Sequence, residues 1–441
     1  MTVRRVSLPF IAALGSAILL LVSLLMLLAP LSSARANPIP GANSKQVNHP
    51  TASVTLTVWS YSSAPLLTSI VNDFQAAYPT VTVQLAIMDL NTISDTFPNA
   101  ARSGTGPDLL WQAPNDQAIW FASQGLLRSV DTDFNLTLFL TDTVDGIAWR
   151  GSHWGVPETN GNHLMLLYNK ALLSTPPTNT TAMISVAQTF TGTTYGLVYN
   201  LYEPFWLIPW LSGFGGWPLD MTTDPIAPTL DSTAMISALQ FVQDLKFTYH
   251  AVPSSCDYDC ADTNFREGKA AMLINGDWSL SSYSGLSPTV QLGIARIPLV
   301  SDTGLWPAPM TSGMYFLFNR YTSNQQYQAS RLFVQFATTK PEQLQWAEEG
   351  IIPALLEALQ DPLVQGNPIL QSSVEQLLVG QPMPGVPEMR CAWDAMYGPL
   401  ADVMDIGRSP SVSAAEMQAS AVPCVNALHL KKIFLPLVLH Q

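Results

Sequence analysis

Phe97 to Asp116, FPNAARSGTGPDLLWQAPND, changes character three times within twenty residues. Small residues suit a helix up to Ser103, and Gly104-Thr105-Gly106-Pro107 must then turn the chain. Asp108 leads into Leu109-Leu110-Trp111, an apolar run that is continuous rather than alternating, which predicts a strand buried on both faces. Polar residues follow at once: Gln112, Asn115 and Asp116. Ligands of open parallel sheets sit beyond the carboxyl ends of the strands, so Trp111 and this polar cluster stand where a ligand would be held.

Upstream, Val54-Thr55-Leu56-Thr57-Val58-Trp59 alternates as a first strand ended by Ser60 to Ala64. Leu66, Leu67, Ile70, Val71 and Phe74 recur at helical spacing until Pro79, and Thr80 to Ile87 is a second strand by alternation. Together they make a βαβ unit, hence a parallel sheet with a right-handed crossover.

The 441 residues suffice for two domains, and 47% hydrophobic against 12% charged residues supplies substantial cores. Arg4-Arg5, an apolar run from Leu8 to Leu31 and Ala34-Arg35-Ala36 read as a secretory signal over 1–36, with an uncleaved anchor as the rival reading of so long a run. Removal of 1–36 takes Arg4, Arg5 and Arg35 and no acidic residue, which moves the net charge from −13 to −16. A chain this acidic repels nucleic acid and anionic lipid, and both are excluded as primary partners. Residues 37–52 read as a flexible leader.

Four cysteines in an exported chain predict two disulfides, and spacing favours Cys256 with Cys260 and Cys391 with Cys424. Cys256-Asp257-Tyr258-Asp259-Cys260 lacks the second Cys/His pair of a zinc site and the glycine and distal glutamate of a calcium loop, so no metal is expected. Gly104-Thr105-Gly106 lacks the third glycine of a dinucleotide fingerprint, and no other cofactor motif is present.

Several further stretches occur in a fixed order: Gly125-Leu126-Leu127, Trp154-Gly155-Val156-Pro157, Leu166-Leu167-Tyr168-Asn169-Lys170, Asn200 to Trp206 (NLYEPFW), Phe265 to Met272 with Gly276-Asp277-Trp278, and Pro382 to Met389 with Trp393. With Gly-x-Gly-Pro-Asp at 104–108, this set resembles the extracellular solute-binding proteins of ABC importers, specifically the carbohydrate-binding family that contains maltose-binding protein. The likeness spans about 53–428. It implies an α/β fold of two lobes, the type II-like periplasmic-binding-protein fold, each a mostly parallel sheet flanked by helices with a ligand cleft between. The lobes would be 53–160 plus 300–350, and 161–299 plus 351–428. Chain crossings at Glu158 to His163, at Leu292 to Pro298 and at Ile351-Ile352-Pro353 would form the hinge. The implied function is capture of an oligosaccharide and its delivery to an ABC transporter permease, by a monomer in the periplasm or outside the cell.

The resemblance makes Glu203, Phe205, Trp206, Trp278 and Trp393 ligand residues. Trp59, Tyr61, Trp111, Gln112, Asn115, Asp116, Asn160, Asn162 and Tyr397 complete the candidate set. Tyr397 stands where maltose-binding protein has an arginine, Gln112 where it has a tryptophan, and Ser63 and Ala64 replace its charged pair; these departures argue against maltose itself. A secreted glycoside hydrolase, for which Glu158 and Glu203 would be the facing carboxylates, is the enzyme alternative. A binder of a non-sugar solute is the other. Residues 429–441 form a tail too short to span a bilayer, in which Pro436 is expected to break any helix.

Overall fold

The computed structural model describes residues 53–61 and 65–438, and only the backbone of 90, 91 and 431–438. The signal or anchor at 1–36, the leader at 37–52 and the departure at Ser63 and Ala64 lie outside the described residues. The rest belongs to one compact unit, Ser44–Gln441.

Eleven strands position the site. In chain order they are β1 (Val54–Ser60), β2 (Val81–Ile87), β3 (Leu109–Pro114), β4 (Val156–Gly161), β5 (Leu164–Asn169), β6 (Tyr195–Val198), β7 (Ala270–Gly276), β8 (Leu292–Ala295), β9 (Met310–Phe318), β10 (Ile352–Pro353) and β11 (Gln381–Pro382). The first sheet runs β10-β4-β9-β3-β1-β2, with β11 on β9; the second runs β8-β5-β7-β6. The predicted βαβ unit pairs β1 with β2 in parallel, Val54 opposite Val81. The helix between them, Pro65–Ala77, buries Leu66, Leu67, Ile70, Val71 and Phe74, each worth about 1.5–3 kcal/mol on burial. Most strands of each sheet share one direction; β9, β10 and β11 run against β3 and β4, and β5 against its neighbours.

Every residue of β3 is buried, because helices cover both faces. Leu109 and Trp111 face a core with Phe74, Phe316 and Phe333, whereas Leu110 and Ala113 face a second core with Phe97 and Phe121. Leu109 and Ala113 have the same parity yet lie on opposite faces. The cause is Gln112, whose φ of 64° marks a bulge, matched by a register shift in β9 between Tyr315 and Leu317. The turn before β3 requires Gly104, at φ 73°. Asp108 then accepts from the backbone N–H and the hydroxyl of Thr57 at 2.9 and 2.8 Å, and from the Thr322 hydroxyl. This buried carboxylate ties β3 to β1 and to the loop after β9.

The crossings follow from sheet membership. The chain leaves the first sheet at the end of β4 and enters the second at β5 through Asn162 and His163, and it returns between β8 and β9. The third segment departs from expectation. Ala354, Leu355 and Ala358 pack in the first core, so the chain just after Ile351 belongs with the first lobe. The second lobe regains it by Met383 and Met389.

Helices Glu388–Ile406 and Pro410–Val438 pack as a hairpin on the second lobe, with Ala414, Met417, Ala421 and Val425 buried at spacings of three and four. Cys391–Cys424 cross-links them, worth about 3–4 kcal/mol in the chain-closure model. The second helix carries through Pro423 and Pro436 to Val438, so the expected break at Pro436 does not occur. A proline costs one backbone hydrogen bond and a bend, which a helix this long accommodates. Among the described residues no helix is long and apolar enough to cross a membrane.

Candidate functional site

Asp116 sits in the first turn of helix Asn115–Ser123, in the first lobe, where the helix dipole favours a carboxylate. Its Oδ2 accepts the Trp393 Nε1–H at 2.9 Å, and Oδ1 accepts the Gln117 backbone N–H at 2.9 Å. Burial raises the Asp116 pKa above the usual carboxylate value, while the Trp393 bond and the Arg390 charge oppose it. Beside it, the Tyr61 hydroxyl donates to Gln117 Oε1. Burial, and then the Asp116 charge, hold that phenol protonated.

The second lobe supplies aromatic rings. Phe205 lies 6.2 Å from Trp278 and 6.3 Å from Trp393 between ring centroids. All three are half-buried, so they pack on the second core without joining it. Gly276, just before Trp278, has an extended backbone, at φ −92° and ψ 168°. What it provides is space: a Cβ there would run into the Trp278 indole. Glu203 occupies the N-cap position of helix Pro204–Gly213, fixed by the Asn200 amide at 3.0 Å. Burial pushes its carboxyl up to about 7. Tyr397 is 41% exposed, and its phenol is held protonated by burial first and then by the negative charge of Glu203, with Asp116 adding.

Four candidates belong elsewhere. Trp111 is fully buried and stacks on Phe316 at 5.6 Å; it is a core residue, because the face of β3 it occupies is covered by helix Asn324–Ala337. Its Nε1–H donates to both Glu158 carboxylate oxygens at 2.8 Å. Gln112 is buried and donates to the same carboxylate. Trp206 is 4% exposed, with its Nε1–H on the Ile274 carbonyl at 2.9 Å. Asn115 is buried, donates to the Met383 carbonyl at 2.9 Å and accepts from Ser312 Oγ at 3.0 Å; it holds the third connecting segment against the first lobe. Trp59, next to last in β1, is half-buried against the second of the two first-lobe cores. Asn160 and Asn162 lie at the first crossing, where Asn162, at φ 42°, donates its backbone N–H to Asp277 Oδ2 at 3.0 Å.

Glu158 is also withdrawn from any cleft. It is fully buried, and beyond Trp111 and Gln112 it accepts the Trp346 Nε1–H at 3.1 Å. Burial pushes its pKa up to about 8 against those donors. It cannot face Glu203 across a bound sugar. Arg390 and Tyr258 are additions that pattern reading missed. Arg390 lies one helical turn before Trp393 on the same face and ion-pairs with Asp394 at 2.8 Å, putting a cation near the place where Tyr397 removes one. Tyr258 accepts the Trp278 Nε1–H at 3.1 Å. A separate hollow of about 470 Å³ on the second lobe, lined by Phe190, Tyr195, Lys246, Phe247 and His250 among others, contains none of the candidate residues. Among the described residues no three His, Cys, Asp or Glu side chains are placed to hold a metal ion.

Two α/β lobes joined by connecting segments define the class of two-lobed binding proteins. The chain belongs to the bacterial extracellular solute-binding proteins, whose family model matches residues 69–372. It is 25% identical over 356 residues to the maltotriose-binding protein of Pyrococcus abyssi, covering 78% of this chain and 76% of that one. It is 22% identical over 342 residues to the galactooligosaccharide-binding protein of Bacillus subtilis, covering 75% and 80%. Its fold is similar to that of the maltose/maltodextrin-binding domain of Bdellovibrio bacteriovorus bound to maltotriose, with a TM-score of 0.81 and 33% identity over 85% of this chain and all of that one.

Proposed function

We propose that this chain captures a neutral oligosaccharide between its lobes and delivers it to an ABC transporter permease, without chemistry of its own. The observation that carries the reading is the convergence of Phe205, Trp278 and Trp393 from the second lobe with Asp116 from the first. A pyranose presents an apolar face of C–H groups and a rim of hydroxyls. Half-buried aromatic rings suit the face, and Asp116, Glu203, Tyr397 and Arg390 suit the rim. Family membership and the oligosaccharide-binding relatives support the same conclusion. The relatives differ in the sugar they are named for, and maltose itself is expected to bind weakly.

Under this reading the first lobe is 53–160 with 300–350, extended to about 359, and the second is 161–299 with the remainder to 428. The apolar run at 8–31 is an export signal, the ligand is carried by a monomer, and the outer surfaces of both lobes dock on the permease. Ligand contacts from both lobes favour a closed arrangement, with bending at Asn162 and the two other crossings. Small-angle scattering with and without a saturating oligosaccharide tests this, alongside chromatography of the recovered sugar. A smaller radius of gyration with sugar chain length unchanged is expected. An unchanged profile removes the closure, and shortened chains replace the binder with a hydrolase.

A further inference from the structure

The Cys256–Cys260 disulfide closes a loop of five residues, and in the chain-closure model so short a loop contributes least to stability. Its neighbours indicate another role. The Cys256 carbonyl accepts the Leu201 N–H at 3.0 Å, and the Tyr202 hydroxyl, which donates to Asp405 Oδ1 at 2.9 Å, is hydrogen-bonded to Ser255 Oγ at 3.0 Å. Both bonds fix the segment that continues into Glu203 and Phe205. Inside the loop, Tyr258 accepts the Trp278 Nε1–H at 3.1 Å, and its ring packs edge-on to Trp206 at 6.0 Å. Two segments carrying Phe205 and Trp278, 73 residues apart in sequence, are thus tied to one cross-linked loop.

We infer that the Cys256–Cys260 disulfide is a positioning element of the ligand platform: it fixes Tyr258 and the Cys256 carbonyl, and through them the relative placement of Phe205 and Trp278. This rests on the proposal that those rings receive the sugar. The physical reason lies in the geometry of helix Tyr258–Arg266, which starts within the loop, where Asp257 caps the Cys260 N–H at 2.9 Å. Tyr258 is the first residue of that helix, so its side chain depends on an end that frays when it is not held. The cross-link spans that end. Aromatic contacts and indole hydrogen bonds are sensitive to displacements of a few tenths of an ångström, and binding that needs a preformed surface loses affinity when the surface must be ordered on arrival.

The test uses the full mature chain with maltotriose and a galactooligosaccharide as probes. It compares wild type with Cys256→Ser/Cys260→Ser, with Tyr258→Phe, and with Cys391→Ser/Cys424→Ser as the control that removes the other cross-link. Affinity is read by calorimetry, folding by melting, and the Trp278 environment by its indole N–H resonance. Opening the small loop is expected to weaken the bound probe about tenfold and to shift the Trp278 resonance, with melting within a few degrees of wild type. Tyr258→Phe, which loses only the hydroxyl, is expected to weaken it several-fold. The control is expected to lower the melting temperature more and the affinity less. Wild-type affinity in both Cys256→Ser/Cys260→Ser and Tyr258→Phe overturns the inference and leaves the platform standing. A wild-type protein that binds neither probe nor any glycan of a wider panel of neutral oligosaccharides overturns the platform reading and the inference with it.

Discussion

Trp393 and Asp116 join the two lobes directly: the indole N–H of the second-lobe helix donates to the carboxylate of the first-lobe helix at 2.9 Å. One residue pair thus places an aromatic ring beside a carboxylate where the two lobes meet.

Alanine substitutions should separate rings of the platform from rings of the core. Trp111→Ala removes a fully buried indole and leaves the Glu158 carboxylate short of a donor, so it is expected to cost about 3–5 kcal/mol of stability or more. Trp278→Ala and Trp393→Ala remove half-buried rings, and they are expected to leave the ligand-free fold nearly intact while weakening oligosaccharide binding by about 2 kcal/mol or more. Melting curves paired with calorimetric affinities decide it. Strong destabilisation by the latter two with unchanged affinity in the folded fraction would place them in the core.

Glu203 gives the affinity a pH dependence of definite sign. With its carboxyl at about 7, it is protonated below that pH and becomes a charged acceptor above it, and hydrogen bonds to charged groups are the stronger ones. Affinity for a neutral oligosaccharide is expected to rise several-fold between pH 6 and pH 8. Glu203→Gln should remove the step. An identical pH profile in wild type and variant rules out this carboxylate as a ligand acceptor.

Glu158 gives stability the opposite slope. Burial raises its folded-state pKa to about 8, above the ordinary value near 4.5, so between those values the folded chain binds more protons than the unfolded one. Its contribution is therefore present in full below about pH 4.5 and is lost as pH rises through about 8. Denaturant unfolding of wild type and Glu158→Gln at pH 5 and pH 8 checks the sign: the wild type should lose more stability over that interval than the variant. Equal losses would mean that Glu158 does not titrate there.

The fold was legible where periodicity alone suffices. The alternation of Val54 to Trp59 and the spacing of Leu66, Leu67, Ile70, Val71 and Phe74 give the first βαβ unit. The continuous run Leu109-Leu110-Trp111 gives a strand buried on both sides, but such a run does not say which face meets a ligand. The bulge at Gln112 that shifts the facing is a backbone conformation with no residue signature. Trp111 and Trp206 look like Trp278 in sequence; only the helices packed over them make the difference. Tyr258 escaped for another reason, since its partner Trp278 is 20 residues away on a different element. Arg390 was visible at helical spacing from Trp393 and Tyr397, once a helix was placed there.

The claim that this chain holds an oligosaccharide between its lobes is tested most directly by isothermal titration of the purified wild-type protein with a panel of neutral glycans, including maltose, maltotriose and galactooligosaccharides. At least one oligosaccharide is expected to bind at one site per chain, with heat lost in Trp393→Ala and the sugar recovered at its original length. A panel in which no glycan binds, or binding that Trp393→Ala leaves untouched, would contradict it.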